Sequence, residues 1–486
     1  MRKGGLLLIS LVFVYAGYTQ NEFDALRYSS HDFYGDARFN AMGGSFGALG
    51  ANMSSLSINP GGIGVYKSSD FSFTPAFHYN FTESKTPRAS DFDGKLNFHF
   101  SNIGFVGNFR ASGSWESVSF AIGYNRTANY SSRISIKSTT DDSFLDTYVD
   151  ELNATGGIIE DEIADAFPFS ANLGYQAYLV NPLTNDSLRY DHVLENSKNI
   201  TQITNYQTKG GSGEMYFAFG GNYSDRLYLG ALLGIPTIRY VYDRTYSETT
   251  ESTDTMNTSF TVNDYVKTSG AGVNLKLGLI YKIVDWFRVG AAFHTPTVYA
   301  LTDNYETTLN AQLKDGSTYE IASPYGSFDY FVTTPYRFVS SASFIIGQHG
   351  VINGDYEIVD YSSAYLREDK TFGSSGADFS TENQNIRNNF ELTQNIRIGT
   401  EWRLDPFRIR AGYRYLGNPI SSRFSTNNNA NVYSLGFGIK QDEYYFDVAY
   451  ALKSYKTQSP IVSAHNEFAD VNLNDHHISF TLGFRF

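Results

Sequence analysis

The fold class that the sequence predicts is all-β, a 14-stranded antiparallel transmembrane β-barrel with an N-terminal hatch plugging the lumen. Three observations predict it. An export-type N-terminus is followed by no apolar run long enough to form a membrane helix. Apolar and polar residues alternate with period two through many successive segments. Short turns and long polar stretches alternate between those segments.

Arg2 and Lys3 precede an apolar run over residues 6–14, and Gly17-Tyr18-Thr19 offers a processing site before Gln20. That order is the pattern of a secretory signal peptide, too short for a stable membrane span, and residues 1–19 are assigned to it. No later run of 18 apolar residues exists, so the mature chain is either soluble after export or a barrel. Composition favours strands. The 486 residues include 37 Tyr, 38 Phe and 43 Gly but only 12 Pro, and aromatic side chains suit a pleated surface. Cysteine is absent, which excludes disulfides, thiolate metal sites and Cys nucleophiles. A net charge of −13 with no basic stripe argues against nucleic acid, whose phosphates demand basic surface.

A membrane strand shows apolar side chains to lipid and tolerates polar ones in the lumen over ~9–11 residues. In the last strand, Ile478, Phe480, Leu482, Phe484 and Phe486 share one face, and Ser479, Thr481, Gly483 and Arg485 the other. A terminal Phe closing such a strand is similar to the signal read by the barrel-assembly machinery of the outer membrane. Phe407, Ile409, Ala411, Tyr413 and Tyr415 likewise oppose Arg408, Arg410, Gly412 and Arg414, and Val273 to Tyr281 and Tyr433 to Ile439 repeat the alternation. A soluble sandwich also alternates, but Gly and Arg sharing one face opposite an aromatic-rich face fit a lumen and a lipid belt better.

Fourteen strands are expected, over 70–82, 95–111, 115–138, 212–223, 226–246, 265–283, 285–303, 333–348, 349–360, 392–404, 406–417, 430–441, 443–456 and 474–486. Tight turns fall at Ser112-Gly113-Ser114, Ser224-Asp225, Val284-Asp285, Gln348-His349, Asp405-Pro406 and Asp442-Glu443. Longer polar loops are expected over 141–211, 247–264, 303–333, 361–391, 418–430 and 457–473. Short periplasmic turns and long outer loops are the habit of outer-membrane barrels, and an even count puts both barrel ends in the periplasm. Residues 70–486 are assigned to this barrel. At that size the lumen needs filling, because diameter grows with strand number.

Residues 20–69 read differently. Glycine and small residues dominate Gly35-Asp36-Ala37-Arg38, Ala41-Met42-Gly43-Gly44-Ser45-Phe46-Gly47-Ala48-Leu49-Gly50 and Ser57-Ile58-Asn59-Pro60-Gly61-Gly62-Ile63-Gly64. The segment is too apolar for a linker and too broken for a strand, so a compact hatch inside the barrel is expected, its glycines allowing sharp turns and close packing. These three runs resemble the FadL/TodX family of outer-membrane long-chain fatty-acid and hydrocarbon transporters. The last is similar to the family's Asn-Pro-Ala-Gly hatch element, with Gly61 in place of Ala. The resemblance implies a monomeric barrel in which hydrophobic ligands are captured outside and move inward as the hatch shifts. They then leave, in some cases sideways through a gap in the wall. Asn59, Pro60 and Gly61 are the expected gating residues, Pro60 fixing the turn and Asn59 bonding neighbouring backbone.

Other motifs weigh less. Gly43-Gly44-Ser45-Phe46-Gly47 matches the Gly-x-Ser-x-Gly nucleophile elbow in letters, but lacks the strand–turn–helix context and Asp and His partners that chemistry requires. No metal-ligand spacing joins His78, His99, His476 and His477, and His192 and His465 are the first candidates were haem the cargo. No metal or other cofactor is expected. Arg288, Asp355, Glu357, Arg397, Glu401, Arg408, Arg410 and Arg414 are expected to face the lumen. They either pair with each other and with the hatch, the preferred reading, or guide a ligand carboxylate. Arg397 and Arg410 are the candidate anion contacts, and Phe328 and Tyr330, in the aromatic stretch 325–331, the candidate capture surface.

The function expected is passive uptake of hydrophobic small molecules across the outer membrane of a Gram-negative bacterium, long-chain fatty acid being the default. Expected partners are the ligand, outer-membrane lipid and lipopolysaccharide, and the assembly machinery. Rival classes are a haem or other ligand receptor, a barrel enzyme, an adhesive barrel and a porin for polar solutes. No clustered catalytic set marks an enzyme, and the hatch argues against the last two.

Overall fold

The computed structural model describes residues 21–32, 34–250, 258–370, 377–421, 423, 429–461 and 468–486. The signal-peptide assignment and His465 lie outside the described residues. Fourteen strands close into one antiparallel barrel. They are β1 (Asp70–Lys85), β2 (Ser90–Arg110), β3 (Trp115–Asn129, continuing as Ser132–Thr140), β4 (Ile200–Tyr223), β5 (Leu227–Thr249), β6 (Ser259–Val284) and β7 (Phe287–His294, continuing as Val298–Gln312). Then follow β8 (Gly326–Thr333, continuing as Arg337–Ile346), β9 (Gly350–Asp360, continuing as Tyr365–Glu368), β10 (Leu392–Leu404), β11 (Phe407–Leu416), β12 (Ala430–Gln441), β13 (Tyr444–Pro460) and β14 (Phe468–Arg485). β1 pairs with β2 on one side and with β14 on the other, so no edge is left open. Closure matters in lipid, where an unpaired backbone N–H or C=O finds no water.

The period-two reading holds on the wall. Phe219 (64% exposed) and Leu435 (63% exposed) stand outward beside the buried Ala218 and Ser434. Exposure on that scale, repeated around the barrel, is tolerable only against lipid tails. The terminal Phe486 stacks on Phe484 at 5.3 Å and on Phe105 at 6.1 Å. No described helix is long and apolar enough to cross a membrane. The architecture is that of a Gram-negative outer-membrane protein.

Strand ends near the short turns fall where expected, as do the outer ends of β10, β11 and β12, whereas other outer ends run much further. β4 starts at Ile200, not 212, and β8 starts at Gly326, so the aromatic stretch 325–331 is largely strand, not loop. Beyond the bilayer both faces of a strand meet water or protein, so the alternation that marks a membrane strand fades. The expected loop 141–211 is a small folded cap. Helices α3 (Leu145–Asn153), α4 (Glu160–Ala166) and α5 (Ala171–Gln176) pack Leu145, Tyr148, Ile163 and Leu173 against Tyr246, Phe260 and Leu309 of the wall. Helix α6 (Ser380–Asn389) lies in the expected loop 361–391.

Proline breaks two expected strands and interrupts the pairing of a third. β5 loses pairing with β6 around Ile235-Pro236, β7 breaks at Thr295-Pro296-Thr297, and β8 breaks at Thr334-Pro335-Tyr336. Proline offers no N–H to a ladder. Threonine hydroxyls take up backbone donors left there, Thr295 Oγ1 accepting from Leu275 N (3.0 Å) and Thr334 Oγ1 from Thr297 N (2.9 Å).

Candidate functional site: the segment inside the barrel and its seat

The described residues between Asn21 and Ser69 lie inside the lumen, Pro60–Val65 against β3–β7 and Ala37–Ala41 against β11–β14. Helix α1 (Glu22–Ser29) begins with a capping box: Asn21 Oδ1 accepts from Phe23 N (2.9 Å), and Asp24 accepts from Asn21 N (3.1 Å). Helix α2 (Ala37–Ala41) is capped by Asp36, which accepts from Phe39 N at 2.9 Å. Asp36 also takes Asn52 Nδ2 (2.7 Å) and Ser54 Oγ (2.9 Å), tying two distant parts of the segment together. Gly35 permits that closure, since a Cβ there would sit 2.5 Å from the Cβ of Ser54. The Gly-Asp-Ala-Arg run is therefore a local knot with two tethers, Ala37 N donating to Thr481 Oγ1 (2.7 Å) and Arg38 reaching Glu401 through two hydrogen bonds (2.7 and 3.1 Å).

Asn59, Pro60 and Gly61 make a close approach to the wall. Pro60 opens a 3₁₀ turn over Pro60–Val65, and Asn59 Oδ1 caps it by accepting from Gly61 N at 2.9 Å. Asn59 Nδ2 donates to Gly47 O (2.6 Å), within the segment, and to Leu279 O (3.0 Å), on β6. Backbone lies on backbone here. A Cβ at Gly61 would stand 2.8 Å from Leu279 Cα, one at Gly230 would stand 2.1 Å from Pro60 O, and one at Gly278 would stand 2.0 Å from Asn59 Oδ1. Gly220, Gly230 and Gly278 are direct cross-strand neighbours on β4, β5 and β6. This glycine row, the seat of the turn, escaped the sequence reading, although each glycine stands at an inward position of an alternating strand. Across the same wall, facing lipid, lies an apolar depression of about 890 Å³ bordered by Trp115, Phe219, Leu277, Leu279, Phe293 and Phe338.

Most of the lumenal charges are paired, while Arg288 donates to the carbonyl of Leu49 (3.4 Å). Glu357 accepts from Arg397 (2.8 Å), Arg337 (3.2 Å) and Asn395 (2.8 Å), and Arg337 also donates to the carbonyl of Ser29. Asp355 accepts the backbone N–H groups of Phe46 and Gly47 at 3.1 Å each. Glu401 is shared between Arg38 and Arg410, and Arg410 continues to Asp447 at 2.6 Å. Asp32 accepts from Lys453 (2.8 Å), while its carbonyl takes Arg414. Burial alone would raise the pKa of Asp32, but Lys453 and Arg414 outweigh it and hold the carboxyl below its usual range. Burial, reinforced by Arg337 and Lys276, pushes His31 well below the usual histidine range. Buried pairs of this kind add little net stability, yet breaking one leaves a buried charge at a cost of ~3–5 kcal/mol. They fix where the segment sits.

Of the four candidate ligand contacts, Arg397 and Arg410 lie on neighbouring β10 and β11 but in separate ion-pair groups. Phe328 and Tyr330 stand on the outer half of β8. There Tyr330 is fully buried, and both rings contact Phe379 at 6.4 and 6.1 Å. They belong to an apolar cluster inside the outer lumen that also holds Tyr28 of α1, Tyr240, Tyr299, Leu301 and Val332. Ser45 of the elbow-like motif donates to Met42 O (2.9 Å). His192 is buried against Asp146 (2.8 Å) in the outer cap. His78, His99 and His477 surround Tyr34 with ring centroids 4.9–6.1 Å away. No group of three or more His, Asp or Glu suited to a metal ion occurs among the described residues.

No family model and no curated protein matches the sequence. Solved structures do match in fold. The toluene transporter TodX of Pseudomonas putida aligns with a TM-score of 0.55 at 12% identity over 94% of this chain and 99% of its own. A Pseudomonas aeruginosa FadL homologue aligns at 0.56 and 11% identity over 93% and 98%. The Ralstonia pickettii toluene transporter TbuX aligns at 0.51 and 14% identity over 93% and 99%.

Proposed function

We propose that this barrel, which has the fold of the FadL- and TodX-type outer-membrane transporters, takes up hydrophobic small molecules passively, with residues 20–69 acting as its hatch. The observation that carries the reading is the apolar cluster inside the outer lumen, where a porin for polar solutes keeps water. Tyr28, Tyr240, Tyr299 and Tyr330 are buried there, so an alkyl chain that parts them gains roughly 0.8 kcal/mol per buried methylene. A ligand held by that surface meets α1 of the hatch directly, because Ala25 and Tyr28 are part of the same cluster. Long-chain fatty acid is the default cargo. Passage then requires the Asn59–Pro60–Gly61 turn to leave its glycine seat. The barrel works as a monomer in lipopolysaccharide-bearing membrane after folding by the barrel-assembly machinery.

The test is uptake by proteoliposomes of a fluorescent fatty acid against a sugar of similar mass, with native mass spectrometry of the purified protein beside it. Saturable fatty-acid entry with no sugar entry is expected, with a lipid-like molecule co-purifying. Steady ion conductance in planar bilayers with no fatty-acid preference would return the chain to the porins, and co-purified haem would replace the cargo.

A further inference from the structure

On the outward face of β4, β5 and β6, Met215, Phe217, Leu233, Ile235, Val273 and Leu275 are exposed to lipid. Toward the outer side all three strands change character together. Gly213, Thr237 and Ala271 are direct cross-strand neighbours, followed by Gly211, Arg239 and Ser269, and then by Lys209, Val241 and Lys267. Alternation keeps all of them on the outward face. At ~3.3 Å per residue and a tilt of ~40°, Arg239 stands about 10 Å beyond Ile235 along the membrane normal. Lys209 and Arg239 are exposed and Lys267 is half-buried. Among the described residues, no carboxylate stands within ion-pair distance of any of the three. The next row outward holds Asp243 and Glu306, but also a further cation, Arg133. Lys95 of β2 lies close enough to Lys209 and Arg133 for their charges to act on it. Asp329, two strands from Ser269, is engaged by the Thr302 hydroxyl at 2.5 Å.

Arg239 is a diagonal neighbour of both lysines, roughly 7–8 Å away, and the lysines stand about 10 Å apart. Three long side chains on that spacing reach one point above the wall. Their mutual repulsion falls when an anion joins them, and an Arg fork with two Lys point charges suits a phosphate. The floor between the apolar belt and these cations is Gly213, Thr237, Ala271, Gly211 and Ser269, small residues that leave room for a head group. Position selects the ligand. A lipid whose chains lie on Leu233, Ile235, Val273 and Leu275 brings its phosphate to the cations, and the phosphorylated lipid of the outer leaflet is lipopolysaccharide. We propose that Lys209, Arg239 and Lys267 bind a phosphate on the lipid A head of one lipopolysaccharide molecule, fixing it against β4–β6. Basic clusters at a membrane surface recognise anionic lipid heads in this way. The site follows from the barrel's place in the outer membrane and is independent of what the lumen carries.

The test titrates diphosphoryl lipid A, dephosphorylated lipid A and phosphatidylglycerol into the full barrel in nonionic detergent, with bound lipid counted by native mass spectrometry. Wild type is expected to hold one diphosphoryl lipid A and to bind the dephosphorylated form at least about tenfold more weakly, the scale of one charge-assisted hydrogen bond. Arg239→Gln and Lys267→Gln should each weaken diphosphoryl lipid A by about the same factor and leave the dephosphorylated form unchanged. Lys198→Gln, which removes an exposed cation of the outer cap, should leave all three lipids unchanged. Heat-modified gel mobility of each variant confirms the folded barrel, and fatty-acid uptake should match wild type throughout. Diphosphoryl lipid A binding that survives the Arg239→Gln, Lys267→Gln double substitution overturns the site. An equal loss in Lys198→Gln also overturns it, because net charge alone would then govern binding. If phosphatidylglycerol binds as tightly as diphosphoryl lipid A and is lost in the same variants, lipopolysaccharide is overturned as the occupant.

Discussion

Asn59→Ala tests the seat of the hatch most directly. The substitution deletes three hydrogen bonds, the donations to Gly47 O and Leu279 O and the cap on Gly61 N. A buried hydrogen bond contributes roughly 1 kcal/mol net, so the turn loses about 3 kcal/mol. The buried Gly47 carbonyl, left without this donor, raises the loss further. Only the Leu279 bond crosses to the wall, while the other two shape the turn that fits the glycine row. The Arg38–Glu401 pair and the Asp355 contacts remain, so the expected result is displacement of residues near 58–62, not expulsion of the whole segment. At about 1.4 kcal/mol per tenfold, the unseated population should rise on the order of a hundredfold. Planar-bilayer recording should show new opening events, and proteoliposome uptake should lose saturation. Asn59→Asp separates the contributions, since it keeps an acceptor for Gly61 N but loses both donors. Wild-type conductance and uptake in both variants would refute the seat. Defects in Asn59→Ala alone would show that only the turn's cap matters.

Gly230→Val should unseat the same turn by steric means, because its Cβ falls 2.1 Å from Pro60 O, and its conductance should resemble that of Asn59→Ala. Glu401→Gln should cost the folded barrel about 3 kcal/mol by leaving Arg38 and Arg410 without their shared charge, read as a lower heat-modification midpoint. Glu151 of the outer cap has its pKa pushed up to about 7 by burial, against hydrogen bonds from Ser170 and Ala171. A carboxyl raised above its unfolded value of ~4.3 stabilises the cap while protonated, and that stability is lost as pH rises through about 7. Proteolysis of the cap should therefore quicken as pH rises from about 4.5 to 7 and level off above that, and Glu151→Gln should remove the dependence.

The strand count and the turn positions were legible in the sequence because their causes are local. Lipid on one side and lumen on the other impose period two on each membrane strand, as at Ile478–Phe486. Glycine density marks a backbone that must pack closely, so residues 20–69 stood apart, and Asn59-Pro60 announced a turn. Other features depended on residues far apart in the chain, and no local pattern records such contacts. Arg38 meets Glu401 and Arg397 meets Glu357 only because the barrel closes around the hatch. The row of Gly220, Gly230 and Gly278 exists only in the register of three paired strands. The outer extensions and the helical cap were misread as loop because their apolar faces pack on protein, without the bilayer's periodic signature. The sequence by itself thus determined a fourteen-strand barrel, whose alternation each strand carries alone. Tertiary structure alone decided how the N-terminal segment is seated and which charges pair, because both arise from strands brought together by closure.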